Sequence, residues 1–208
     1  MTEPRTFDQK AATWDDEPRR VALAGAVAEG IRNCTPLSGA MDLLDFGCGT
    51  GLLTLNLQPY VRSITGMDTS RGMLDILAGK IERQQLTNVS LFCGDFSRGE
   101  RPDGSFHLIA SAMTLHHVAD IPGLFTVLSG LLVPGGILCL ADLDREDGTF
   151  HDDPTGVHHA GFDRALLKEN LAAAGFAVYH DAIVTSIRKG TPDAPRDYPV
   201  FLVCARRP

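Results

Sequence analysis

Apolar positions along the chain alternate between two rhythms. Residues 41–46, 89–93, 106–112 and 137–142 are short runs that are apolar at most positions, and 63–68 is a mixed run carrying Ile64, Gly66 and Met67. Such runs read as strands buried on both faces. Between them the spacing is three to four. Val21, Ala24, Val27, Ala28 and Ile31 form a helical stripe after Pro18, a residue suited to a first helical turn. Met73, Leu74, Leu77 and Ile81 follow Ser70, and Ile121, Leu124, Phe125, Leu128 and Leu131 follow Asp120. Leu166, Leu167, Leu171 and Ala174 follow Asp163. Ser70, Asp120 and Asp163 are the residue types that cap a helix start. Pro134-Gly135-Gly136 stops the third of these helices and Gly175 the last. A shorter helix is expected over 50–57. Strands alternating with helices predict a parallel sheet covered on both sides.

The end of the chain breaks this rhythm. Residues 176–187 and 198–206 both read as strands, and the connection 189–197 holds Gly190, Pro192 and Pro195. It is too short for a helical crossover, so the pair is expected to be antiparallel. No internal repeat or linker stands out, and 1–208 reads as a single α/β domain. Two segments lack a clear place in it. Residues 1–17 are polar, with Phe7, Ala11 and Trp14 on one side of a short helix. Residues 142–161 form a long acidic loop carrying His151, His158 and His159, and loops of that length are often functional.

Charge and cysteine content narrow the function. The net charge is −7 with no basic cluster, a poor match to holding nucleic-acid phosphates. No secretory signal core or membrane-spanning apolar run is visible. The five cysteines, an odd number without CxxC spacing, read as buried apolar residues of a cytoplasmic protein rather than disulfides or a zinc site.

The stretch Leu43-Leu44-Asp45-Phe46-Gly47-Cys48-Gly49-Thr50-Gly51 carries the chemistry. A strand ends in a carboxylate, and a turn with three glycines leads into a helix. A backbone of this kind comes close to a nucleotide-like ligand. The dinucleotide fingerprint is G-x-G-x-x-G/A, but here the third glycine comes one residue early. Asp45 would repel a pyrophosphate, whereas it attracts the ammonium and sulfonium of S-adenosylmethionine (SAM). Asp68 and Asp95 follow the second and third strands. They suit the ribose hydroxyls and the exocyclic amine of adenine, respectively.

With these residues in place, the chain resembles the class I SAM-dependent methyltransferases over nearly its whole length. LLDFGCGTGLLT matches the first motif of that family, MDTS the ribose acid, and CGDF the adenine position. SFHLIASAMTLHHV and LLVPGGILCLADL are similar to its fourth and fifth strands. The opening FDQKAATWDD resembles the segment that lies over SAM in the small-molecule subgroup of ubiquinone and menaquinone biosynthesis, although a tyrosine is common there where Trp14 stands. The resemblance implies a Rossmann-like seven-stranded sheet in the order 3-2-1-4-5-7-6 with the final strand antiparallel. It implies SAM contacts at Asp45, Gly47, Cys48, Gly49, Thr50, Gly51, Asp68, Thr69, Met73, Gly94, Asp95, Phe96 and Ala112, with Trp14 in an N-terminal lid over residues 1–17.

Methyl transfer is an in-line displacement that requires alignment and exclusion of water. Where the acceptor must lose a proton, the candidate bases are His116, His117, His158 and His159. A metal site in the acidic loop is conceivable but no motif marks one, so no metal is expected. The expected partner is a small-molecule acceptor, with neither nucleic acid nor membrane. The alternatives are a protein or nucleic-acid methyltransferase and a non-catalytic SAM-binding module. No NPPY-like motif follows the fourth strand, and the oligomeric state is not written in the sequence.

Overall fold

Leu43 and Leu44 are sequence neighbours and both fully buried, as are Leu108 and Ile109. Consecutive residues of a strand point to opposite faces, so both faces of these strands are covered. The computed structural model describes residues 4–191 and 193–208, with side chains from Phe7 onward. Its strands are β1 (Asp42–Phe46), β2 (Ser63–Asp68), β3 (Val89–Cys93), β4 (Phe106–Ala112), β5 (Leu132–Leu143), β6 (Ala177–Thr191) and β7 (Ala194–Arg206). They form one seven-stranded sheet in the order 3-2-1-4-5-7-6. β1 to β5 are parallel, and β7 runs antiparallel to both β5 and β6. This is the topology that the resemblance implies.

Two apolar layers hold the helices. On one side α5 (Ile121–Leu131) and α6 (Arg164–Ala173) pack over Leu44, Ile109, Leu138, Leu140 and Phe201. On the other, α2 (Pro18–Cys34) and α3 (Leu52–Leu57) pack over Leu43, Leu108, Cys139 and Leu202. α4 (Arg71–Arg83) contributes Leu74 and Leu77, which pack on Cys48. The caps are as the sequence predicts: Met73 N donates to Ser70 Oγ at 3.2 Å, Gly123 N to Asp120 at 2.9 Å and Ala165 N to Asp163 at 2.8 Å.

Several boundaries differ from expectation. Val21 is 43% and Leu166 57% exposed, so the buried stripes of α2 and α6 are narrower than their apolar patterns. α3 starts at Leu52, because Gly51 takes a left-handed backbone at φ 84°. Pro134-Gly135-Gly136 does not precede β5 but lies inside it. The ladder to β4 shifts register there, and Gly135 N donates instead to Arg207 O at 2.9 Å. The β6–β7 ladder runs on to Thr191 opposite Ala194. β7 pairs with β5 only over residues 200–206. Beyond that the hairpin is two-stranded, and Pro195 can sit in it without costing a second ladder.

Residues 4–16 form α1 (Pro4–Lys10) and a 3-10 turn over Ala11–Asp16. Residues 1–3 of the expected lid and Pro192 of the expected turn lie outside the described residues. Among the described residues no helix is long and apolar enough to cross a membrane.

Candidate active site

The chemistry-bearing residues collect where the parallel strands end at their carboxyl side, the edge at which open α/β sheets bind ligands. Gly47, Gly49 and Gly51 all have positive φ, at 72°, 53° and 84°. Their side-chain positions differ. A Cβ on Gly47 would lie 2.2 Å from the Thr114 hydroxyl, and one on Gly51 would lie 2.2 Å from Leu77 Cδ1. A Cβ on Gly49 would meet nothing within 4 Å. Two of the glycines therefore admit neighbouring elements, and the third faces open space above the loop. The Cys48 side chain is turned into the core against Leu74 and Leu77, and burial holds its thiol well above the usual range.

Two carboxylates flank the loop. Asp45, at the end of β1, is 1% exposed and accepts from Thr54 Oγ1 at 2.5 Å. Burial pushes its carboxyl up to about 7, with the nearby Asp68 carboxylate adding to the shift. Such a group gains from a neighbouring cation. Asp68, at the end of β2, accepts from Gly49 N and Ser70 N, each at 2.8 Å. Burial raises its carboxyl also, against these backbone hydrogen bonds. One bond to each oxygen leaves each with a lone pair for a ligand hydroxyl. Thr69 beside it is exposed, while Met73 is buried in the inner face of α4.

The expected adenine edge is more structural. Asp95 Oδ1 accepts from Ser97 N at 2.8 Å and so caps the turn after β3. Phe96 stacks on Phe46 with centroids 5.0 Å apart, next to buried Gly94. Ala112 ends β4, and Met113 after it has a positive φ of 57°.

The N-terminal segment is fastened over this edge. Asp15 Oδ1 accepts from Thr50 Oγ1 at 2.6 Å, and Asp15 also pairs with Lys80 of α4. Lys80 Nζ in turn donates to Thr50 O at 2.7 Å. Asp8 accepts from Ser70 Oγ and from Gly72 N. Trp14 is held between Arg20, whose guanidinium lies 3.8 Å from the indole centroid, and Phe7, whose ring centroid is 5.9 Å from that of Trp14. Asp8, Asp15 and Lys80 were not predicted. Aspartates in a polar segment and a lysine on a helix look solvated until the fold brings them together.

The four candidate histidines take different places. His116 is buried, with Nδ1 2.7 Å from Asp142 Oδ1. His117 Nδ1 lies 2.8 Å from Gly156 O, and burial lowers its imidazole to about 4. His159 Nε2 lies 2.9 Å from Val118 O, which anchors the loop, and His158 is exposed. His151, from the long loop, joins His116 and His117 with ring centroids at 4.8 and 5.9 Å. The loop carboxylates mostly face cations or imidazole: Asp142 faces His116, Asp144 Arg164, Asp147 Arg196 and Asp152 Lys189. Among the described residues no group of three or more His, Cys, Asp or Glu could hold a metal ion.

A sheet of this order, with a glycine loop and acids at successive strand ends, is an open α/β fold whose ligand edge is the carboxyl side of its parallel strands. Residues 43–136 match the family described as "Methyltransferase domain". An uncharacterized methyltransferase of Schizosaccharomyces pombe is 32% identical over 162 residues, covering 71% of this chain and 57% of that protein. A ubiquinone biosynthesis O-methyltransferase of Coxiella burnetii is 32% identical over 103 residues, covering 50% of this chain and 44% of the relative. A malonyl-[acyl-carrier protein] O-methyltransferase of Serratia marcescens is 25% identical, covering 88% of this chain and 69% of the relative. The chain thus spans about half the length of the first two relatives. Among solved structures, a SAM-dependent methyltransferase from Aquifex aeolicus shares the fold with a TM-score of 0.71 at 19% identity, covering all of both chains. Residues 43–136 thus match a methyltransferase domain, and the whole chain shares the fold of a SAM-dependent methyltransferase.

Proposed function

We propose that this chain is a methyltransferase domain that moves the methyl group of SAM to a small-molecule acceptor, with residues 4–16 as a cover. The observation that carries the reading is the open space at Gly49, bordered by Asp68 and closed over by the segment that Asp15 ties to Thr50. The residues fit the cofactor. Asp68 would take the ribose hydroxyls, and the backbone from Gly47 to Gly51 would run beside the methionine part. Cys48 and Thr50 would contribute backbone only, since the Cys48 thiol is in the core and the Thr50 hydroxyl is used by Asp15. Asp45 would favour the cationic end, and Gly94, Asp95 and Phe96 would border adenine, with Thr69, Met73, Ala112 and Trp14 around them. SAM would supply an electrophilic methyl group, leaving alignment and exclusion of water to the chain.

One named relative supports an acceptor of this kind, since it acts in ubiquinone biosynthesis. Cytoplasmic residence belongs to the same proposal, supported by five free cysteines.

The test is calorimetry with S-adenosylhomocysteine and with NAD. Binding of the first and not the second is expected, and Asp68→Ala should weaken it by ~1–3 kcal/mol, the cost of leaving ligand hydroxyls without a charged partner. Binding of NAD alone would end the proposal. A screen of small-molecule pools with labelled SAM, read by mass, identifies the acceptor.

A further inference from the structure

Three imidazoles meet where the turn after β4, the end of β5 and the 144–163 loop converge. The His116 and His117 centroids are 4.2 Å apart, and His151 lies beside both. Their hydrogen-bond partners assign the protons. The Gly156 carbonyl only accepts, so His117 Nδ1 carries a proton and Nε2 keeps its lone pair. Asp142 Oδ1 already accepts from Leu143 N at 2.7 Å, and Oδ2 accepts from His116 N at 3.3 Å. His116 Nδ1 is accordingly the donor to that carboxylate. His116 is 2% exposed and Asp142 fully buried, so this pair is a strut.

His117 is placed differently. Its ring is only partly buried, and its centroid lies 5.2 Å from that of Phe7 in the N-terminal cover, the two planes nearly perpendicular. It therefore sits where the N-terminal cover meets the end of β4. Among the described residues His151 Nε2 is buried without a hydrogen-bond partner. An unpaired buried nitrogen is costly, and a bound molecule with a polar atom there would relieve it.

We propose that His117 is the catalytic residue that receives the acceptor's proton on Nε2, and that His151 hydrogen-bonds the same acceptor. This rests on the methyl-transfer reading above. The acceptor then enters uncharged and bearing hydrogen at the reacting atom, as a hydroxyl, thiol or amide N–H. No cation of the cluster is open to an anion, since Lys189 beside His151 is bound to Phe150 O and Asp152. The ionisable groups around His117 are His116, His151, His158 and Asp142. Those around His151 are His116, His117, Lys189 and Asp142. Burial, more than these neighbours, lowers both imidazoles to about 4, which keeps them neutral at physiological pH.

The acceptor atom uses its lone pair to form the new bond to the methyl carbon, and the carbon–sulfur pair stays on sulfur. The proton of the acceptor atom moves to His117 Nε2 while Nδ1–H remains on Gly156, and it leaves to solvent when the cover opens. A weak base is sufficient, because the acceptor atom becomes strongly acidic as its new bond forms.

The test uses the full chain with 15N-labelled histidine and bound S-adenosylhomocysteine. Long-range 1H–15N spectra should show His117 as the neutral Nδ1–H form, still neutral at pH 5. An Nε2–H form, or an imidazolium at neutral pH, overturns the proposal even if no variant folds. On the acceptor found by the labelled-methyl screen, His117→Gly should lower kcat ~100-fold or more with S-adenosylhomocysteine affinity unchanged, and added imidazole should restore turnover. An unchanged kcat, or a loss that imidazole cannot restore, also overturns it. If the wild-type chain does not bind S-adenosylhomocysteine at all, the methyl-transfer reading itself has failed.

Discussion

The three loop glycines share a left-handed backbone but serve different neighbours. An alanine in that conformation costs about 1–2 kcal/mol at any of them. At Gly51 the new methyl group would also strike Leu77, and overpacking adds roughly 1–3 kcal/mol. Gly51→Ala should therefore melt well below Gly49→Ala in a thermal scan. Gly49→Ala should instead lose S-adenosylhomocysteine affinity, because its methyl enters the open space. Wild-type affinity in Gly49→Ala would mean that this space is not where the ligand sits. The glycine spacing was legible in the sequence. The division of labour was not, since Thr114 and Leu77 reach the loop from distant segments. The same holds for Phe96, expected at adenine, whose ring stacks on Phe46.

At the scale of elements, the N-terminal segment is the least regular piece and the one most exposed to competing readings. Its apolar spacing put Phe7, Ala11 and Trp14 on one side of a short helix, but the α-helix ends at Lys10 and a 3-10 turn carries Ala11, 3% exposed, and Trp14. Its fastening is polar, through Asp8 to the start of α4 and through Asp15 to Thr50 and Lys80. The Lys80 side chain is only 12% exposed, so this ion pair is screened less than a surface pair. Asp15→Asn should speed release of S-adenosylhomocysteine in stopped-flow measurements while changing the melting temperature little. An unaltered release rate would reduce the segment to a tether.

For the whole molecule, the buried ionisable groups set opposing slopes of stability against pH. His117 and His151 have folded values of about 4 against an ordinary 6.5. Their contribution is present above pH 6.5 and is lost as pH falls through about 4. Asp45 is raised to about 7 from 3.8, so its contribution is full below 3.8 and is lost as pH rises through about 7. Acidification thus weakens the fold through the imidazoles and strengthens it through Asp45. Denaturant titrations from neutral pH down to pH 4 should show a steeper loss in Asp45→Asn than in the wild type, and a shallower one in His151→Gln. Parallel profiles for all three chains would show that these groups titrate normally.

The strands, the helix caps, the antiparallel end and the acids at strand ends were all readable from residue order. Each depends on a local rule: a period of 2 or 3.6, a cap one residue before a helix, or a loop too short for a crossover. The tertiary structure decided which glycine faces open space and how Asp15 finds Lys80. It also decided that His151 joins His116 and His117 while His158 stays exposed. These pairings join segments far apart in the chain. They depend on sheet register and on the path of an aperiodic loop, neither of which a local pattern of apolar and polar residues encodes.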